Sequence, residues 1–382
     1  MLRPDASQVV TYRPDGTQPR WLGTMGHVSA LRYSFAVPGG CAQLSCNLQV
    51  PANFRSDALN PGRIVQVVRG ATVVWDGKLL EPIAGQQSWQ INASGSGTFG
   101  DDFMAEWSGV WANAPDTALG DAIGRGLRWV NNGINGITNL WLGQPTDPAS
   151  FTITDMLNLV CTKGSLTWYV ACRPRGNVLT VFALPTVATR ILVCKDPVSR
   201  TLGADVNKLW IRYQKTWDVT SSTGTNTPAT YGLTSKDDVP GQTAHGNVEE
   251  YTDITSAGVY TQTQAQAVAD HVLDRYRRIS FGDSFTLHYG DLLTTGGYPV
   301  DLGAEQAATV CRLMVTDFAY GGEVSPAPVT FMTGAYEYDD DSQSATLTPF
   351  QSLRTDFGAL LSAALLEVPV RTQPVMKKKK GK

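Results

Sequence analysis

The chain has 382 residues, 42% hydrophobic and 17% charged, with a formal net charge of -3 at pH 7. That composition excludes a disordered polymer, and the length exceeds one core of ~100–200 residues. Lys377, Lys378, Lys379, Lys380 and Lys382 hold five of the 31 basic residues; the remaining 26 face 34 acids, so the body carries about -8, the wrong sign for gripping nucleic acid.

Plentiful Thr, Val, Gly and aromatics favour strands, and the expected class is mainly β with an α+β insertion. In residues 1–100, Cys41, Gln43, Ser45, Asn47 and Gln49 alternate with Ala42, Leu44, Cys46, Leu48 and Val50, the period of a half-buried strand. Strands at 64–68, 71–75 and 78–83 follow, joined at Arg69-Gly70 and Asp76-Gly77, residues that suit tight hairpins. Trp89, Ile91 and Ala93 continue the pattern, so residues 1–100 read as an antiparallel barrel. Residues 101–190 change character. Helices are expected at 116–125 and 153–163, the second capped by Thr152 or Thr154, before a hairpin across Arg173 to Gly176.

Residues 191–217 and 279–350 read as a second β set. In its first part Leu209, Ile211 and Tyr213 oppose Trp210 and Arg212. Residues 218–278 are an insertion, with an exposed loop over 218–247 and a helix over 263–278. Ala265, Val268, Ala269, Val272, Leu273 and Tyr276 share one face of that helix. Thr263 and Gln266 have capping-box spacing. Arg275, Arg277 and Arg278 load its last turn, where cations suit the helix dipole, and are candidates for subunit contact. Ile279, Phe281, Phe285, Leu287 and Tyr289 then predict one long strand. Residues 351–382 hold a helix ended by Pro369 and the Lys-rich end, whose five lysines are candidates for polyanion or partner contact.

Chemistry leaves few candidates. Gly95-x-Gly97-x-x-Gly100 has dinucleotide-loop spacing, but Asp101 and Asp102 would oppose a pyrophosphate there. The Gly70 to Lys78 segment fails as a phosphate loop on spacing, with Leu79 where a hydroxyl is needed. His27, His245, His271 and His288 form no ligand or triad pattern. Asp339 to Asp341 lack the Gly and distal Glu of a calcium loop. The six cysteines lack ligand spacing and read as buried thiols. No catalytic, cofactor-binding or metal residue is expected, and the protein is expected not to be an enzyme. Met1-Leu2 leads no apolar signal, and the run from Gly358 to Leu366 is shorter than the ~20 residues that span a bilayer. Synthesis in a cytoplasm is expected.

Taken in order, these parts resemble the tail-tip, or baseplate, hub proteins of long-tailed bacteriophages, also called minor tail proteins. The resemblance rests on Gly77-Lys-Leu-Leu80 and Trp89 to Gly95, on residues 153–163 leading to Ser165-Leu-Thr-Trp168, and on Asn207-Lys-Leu-Trp210-Ile211. Tyr231-Gly232, followed by the helix from Thr263 to Arg278, extends it. It implies two tail-tube-type barrels per chain and a homotrimer whose six barrels match the six-fold tube. It also implies a virion tail-tip location after assembly in the bacterial host cytoplasm. The partners it implies are the distal tail ring, the tape-measure protein and central fibre or tip components, with DNA passing non-specifically through the ring. Another structural ring protein, or a receptor- or glycan-binding tail protein suggested by ten tryptophans, is the alternative. Trp75, Trp89, Trp107, Trp111, Trp168 and Trp210 are otherwise expected to fill cores or subunit interfaces.

Overall fold

A computed structural model of the chain describes residues 7–51, 54–85, 87–105, 115–131, 152–163, 166–173, 176–183, 187–194, 200–201, 206–216, 219–220, 226–257, 259–276, 280–281, 284–315 and 330–350. It divides into two compact units, Met1–Ser199 with Asp283–Phe350, and Arg200–Gly282 with Gln351–Lys382.

The larger unit is built on one continuous run of paired strands. Ser7–Tyr12 pairs with Ile64–Arg69, which pairs with Thr72–Leu79, then Ser88–Gly95, Gly39–Gln49 and His27–Ala36, every step antiparallel. From His27–Ala36 the ladder passes to Thr330–Asp339, on to Ser344–Pro349 and finally to Phe285–Leu287. Arg190–Cys194 lies between Leu292–Thr294, antiparallel, and Val310–Val315, parallel; the latter also pairs with Thr330–Asp339. The two β sets therefore share ladder hydrogen bonds. The seam is closed by aromatic side chains, with Tyr33 and Tyr338 ring centroids 5.4 Å apart and Phe35 and Tyr336 6.4 Å apart. All four are buried, and such pairs add ~0.5–1.5 kcal/mol beyond the area they bury.

Two helices, α1 (Pro115–Gly124) and α2 (Ile153–Lys163), belong to the α+β part of this unit. Thr152 is the cap of α2: its hydroxyl accepts from the Asp155 amide at 3.2 Å, while the Asp155 carboxylate accepts from the Thr152 amide at 2.9 Å. The helices close a core of Phe99, Leu119, Leu127, Trp129, Met156, Leu157, Trp168 and Leu179. The segment with dinucleotide-loop spacing is part of this packing. A Cβ on Gly97 would lie 2.8 Å from the Cys41 carbonyl oxygen, and one on Gly100 would lie 2.8 Å from the Trp129 ring. The glycines allow close approach, and Trp129 donates its indole N–H to the Ser96 carbonyl at 2.7 Å.

Three polar knots tie the larger unit together. Asp76 is buried and accepts from Gln66 at 2.9 Å, Asn177 at 2.6 Å and Arg128 at 3.4 Å. Arg69 reaches Asp301 at 2.7 Å and Asp340 at 3.3 Å, with its guanidinium 5.4 Å from the Tyr338 ring centre. Arg190 holds Glu305 at 3.0 Å. Burial pushes the Glu305 carboxyl above its ordinary 4.5, and the Arg190 charge offsets only part of that rise. A raised carboxyl favours the folded state most when protonated. Its contribution is thus complete below the ordinary value and is lost as pH rises through the folded value. Glu305→Gln, which mimics the protonated form, should gain stability relative to the wild type as pH rises above the ordinary 4.5, measured by urea unfolding at each pH.

In the smaller unit, Lys208–Gln214 is the central strand, antiparallel to Tyr231–Asp237 and parallel to Glu249–Asp253. A short helix, α3 (Val239–His245), links the two flanking strands in sequence, and α4 (Gln262–Tyr276) covers one face of the sheet. Ala265, Val268, Ala269, Val272 and Leu273 are buried against Leu209, Ile211, Tyr213, Ile254 and Tyr260, as the helical spacing predicts. The capping box lies two residues earlier than expected. Thr261 and Gln264 exchange the reciprocal bonds, at 2.9 and 3.2 Å, whereas Gln266 bonds Thr234 and Asp270.

Three sequence expectations about this region need correction. Lys208–Gln214 does not pair with any described strand of 279–350; its partners are Tyr231–Asp237 and Glu249–Asp253. Residues 218–247 are not simply a loop, because Tyr231–Asp237 is a strand that turns Tyr231, Leu233, Ser235 and Asp237 away from α4 and buries Thr234 toward it. The long strand expected across 279–289 is two short ones, Ser280–Phe281 in the smaller unit and Phe285–Leu287 in the larger, with Tyr289 80% exposed beyond them. The segments Trp107, Trp111 and 351–382 lie outside the described residues.

Candidate functional site

The face of the small sheet opposite α4 carries the most organised exposed chemistry among the described residues. Strand alternation sends Leu209, Ile211 and Tyr213 inward, so Lys208, Trp210, Arg212 and Gln214 point outward. The register sets cross-strand rows on that face: Lys208 between Asp237 and Glu249, Trp210 between Ser235 and Tyr251, Arg212 between Leu233 and Asp253. Tyr231 continues the face beside Gln214. Tyr231, Leu233 and Tyr251 are 49%, 55% and 55% exposed, more apolar surface than a solvated strand needs.

The charged groups hold the aromatic ones in place. The Lys208 ammonium lies 4.6 Å from the Trp210 ring centre and bridges Asp237 at 3.3 Å and Glu249 at 3.7 Å. The Trp210 indole donates to Glu249 at 2.7 Å, and Asn247 donates to the same carboxylate at 2.6 Å. Those two bonds, the indole's first, hold the Glu249 carboxyl below its ordinary range. Arg212 lies 4.7 Å from the Tyr231 ring centre and pairs with Asp253 at 3.0 Å. The Asp253 carboxyl is likewise held low, first by hydrogen bonds from Thr255 and then by Arg212. Glu249 and Asp253 are therefore carboxylates at neutral pH.

Fixed rings flanked by paired charges can stack on and hydrogen-bond a partner. The face offers no nucleophile poised beside a general base. Among the described residues no group of three or more His, Cys, Asp or Glu is placed to hold a metal. The Asp339 to Asp341 turn uses its acids internally: Asp339 accepts from the amides of Asp341 and Ser342, and Asp341 from that of Ala30. Cys41, Cys46, Cys161, Cys172 and Cys311 are buried free thiols. On the larger unit, a polar depression of about 400 Å³ is lined by Arg32, Ser34, Gln43, Asn92, Ser94 and Glu337, among others.

Of the expected contact residues, Arg275 alone belongs to a described element. Arg275 lies in α4 with its side chain undescribed; Arg277, Arg278, Lys377, Lys378, Lys379, Lys380 and Lys382 lie outside the described residues. Of the tryptophans expected to fill cores or subunit interfaces, Trp75 and Trp168 are buried in cores, Trp89 is half-buried and Trp210 stands on the open face. The opposition of Trp210 and Arg212 to three apolar residues was the signal for it, and Tyr231-x-Leu233 repeats that signal in the segment read as a loop.

No protein-family model matches the sequence, and no curated protein matches it. Solved structures do. The 43 kDa tail protein of prophage MuSo2 from Shewanella oneidensis is 12% identical with a TM-score of 0.56, over 91% of this chain and 98% of that one. A tail protein from Neisseria meningitidis MC58 is 14% identical with a TM-score of 0.53, over 94% and 98%. A prophage tail protein from Listeria monocytogenes EGD-e is 11% identical with a TM-score of 0.51, over 94% and 99%. The chain has the fold of phage tail proteins, and at these identities the likeness is one of fold.

Proposed function

We propose, from the fold shared with these tail proteins, that the chain is a structural hub of a bacteriophage tail tip. It acts as a homotrimer, a pseudo-six-fold ring that joins the hexameric tail tube or distal tail ring to three-fold tip or fibre components. The observation that carries this reading is the extent of the likeness, which runs over at least nine-tenths of this chain and nearly all of each matched chain. Two β sets in one polypeptide are also what a trimer needs to present six similar elements to a six-fold neighbour. The acidic body suits a channel through which DNA slides without adhering. In this reading the protein is not an enzyme, resides in the virion and is assembled in the host cytoplasm. Tape-measure and tip proteins are its neighbours. Native mass measurement of the purified chain should give a trimer; a protein that stays monomeric at tens of micromolar would overturn the hub reading.

The open face carrying Trp210, Tyr231 and Tyr251 favours a second reading, a receptor- or glycan-binding tail protein, because exposed aromatic rings flanked by charges suit sugar stacking. Glycan binding by a monomer, lost in Trp210→Ala, would establish it in place of the hub.

A further inference from the structure

The face of the small sheet opposite α4 has no cover among the described residues, although Tyr231, Leu233 and Tyr251 stand about half-exposed on it beside Trp210. Apolar side chains grouped in this way on one sheet face favour a covering layer. The face also has a charge bias. Asp237, Glu249 and Asp253 belong to it against Lys208 and Arg212, and Glu250 adds a further acid to the outer strand Glu249–Asp253.

One segment of the chain supplies a matching surface. Residues 351–382 follow Phe350, just beyond the strand Ser344–Pro349 that pairs with Phe285–Leu287. At that end of the pair the Ser284 and Thr348 hydroxyls lie 2.8 Å apart, and Ser284 is two residues past Gly282, where that run of the smaller unit ends. The segment therefore leaves the larger unit close to the point where the chain crosses from the smaller one. Within it, Leu353, Phe357, Leu360, Leu361, Ala364 and Leu365 share one face at helical spacing. A helix over 353–365 is ~20 Å long, close to the ~23 Å of a strand such as Lys208–Gln214. Lys377, Lys378, Lys379, Lys380 and Lys382 come after the stripe, opposite in sign to the acids of the face.

We propose that residues 353–365 of the same chain dock on this face as a helix, the apolar stripe on Tyr231, Leu233 and Tyr251 and the lysines toward the acidic edge Glu249–Asp253. The small sheet is then covered on both sides. The proposal is independent of the hub reading, which does not use this face, and competes with the glycan reading, which needs the same rings uncovered. Nitration of the full-length protein by tetranitromethane, read residue by residue by mass spectrometry, tests it. Tyr289 and Tyr298, 80% and 74% exposed, are the open references. Leu361→Asp puts a charge in the stripe and leaves the sheet's own residues unchanged. In that variant Tyr231 and Tyr251 should react at least ~10-fold faster than in the wild type, as a face uncovered less than ~10% of the time requires. Tyr289 and Tyr298 should keep their rates, and the amides of 262–276 their exchange protection. Leu233→Asp, made on the sheet side, should speed Tyr251 in the same way. Equal rates in the wild type and Leu361→Asp would overturn the proposal, as would protection lost on dilution, the mark of a second copy on the face.

Discussion

Val272→Asp should unfold the smaller unit. Val272 is fully buried and Leu273 is 1% exposed, both packed on Leu209, Ile211 and Tyr213. A carboxylate placed there has no cation among those neighbours, and burying an unpaired charge costs well beyond ~4 kcal/mol, the upper end of ordinary substitutions. Either the residue stays ionised and the helix leaves the sheet, or it takes a proton at a free-energy cost set by its raised pKa. Hydrogen exchange should show the amides of 208–214, 231–237 and 262–276 losing protection together, and Leu273→Asp should give the same pattern. Retained protection in α4 would mean that the apolar face does not carry the unit's stability. The face opposite α4 should fail with it, because Trp210 and Arg212 stand on the same strand as Leu209 and Ile211.

Asp76→Ala should be the most damaging single polar change in the larger unit, lowering its stability by about 3 kcal/mol. The carboxylate is 1% exposed and accepts from three side chains. Gln66 comes from the neighbouring strand of the first β set, while Arg128 and Asn177 come from the α+β part. Removing the acceptor leaves the buried Asn177 amide with only a 3.4 Å contact to the Arg128 carbonyl. It also leaves the Arg128 guanidinium, 5.8 Å from the Phe99 ring centre, without its counter-charge. Asp76→Asn keeps an acceptor oxygen but adds donors facing other donors, so it should recover only part of the loss. Urea unfolding of both variants checks the ranking; equal stability of Asp76→Ala and the wild type would show that water replaces the carboxylate without cost.

The helix α4 was legible because its signal is local. Five apolar residues at helical spacing need only a partner surface to become buried, and that surface is the adjoining sheet. Its capping box was placed two residues late because Thr263 and Gln266 have the same spacing as Thr261 and Gln264. The choice is made by where the chain enters the first turn. The strand Tyr231–Asp237 was missed for a different reason. Its inward positions are Gly232, Thr234 and Lys236: a glycine that clears the Tyr213 ring, a threonine bonded to Gln266 and a lysine paired with Asp270 of α4. A strand with no apolar inward side chain shows no hydrophobic alternation toward the core.

The candidate face was beyond sequence reading because it joins residues that only strand register brings together. Lys208 meets Glu249, and Arg212 meets Asp253, across 41 positions of sequence. The sequence by itself determined the mainly β class and the buried face of α4, since periodicity and composition act within a few residues of chain. Which strands share a sheet was decided only by the tertiary structure. Backbone hydrogen bonds can be satisfied by many strands of similar pattern, and only packing of side chains from distant segments selects among them. Hence Lys208–Gln214 left the set its pattern suggested and became the centre of another.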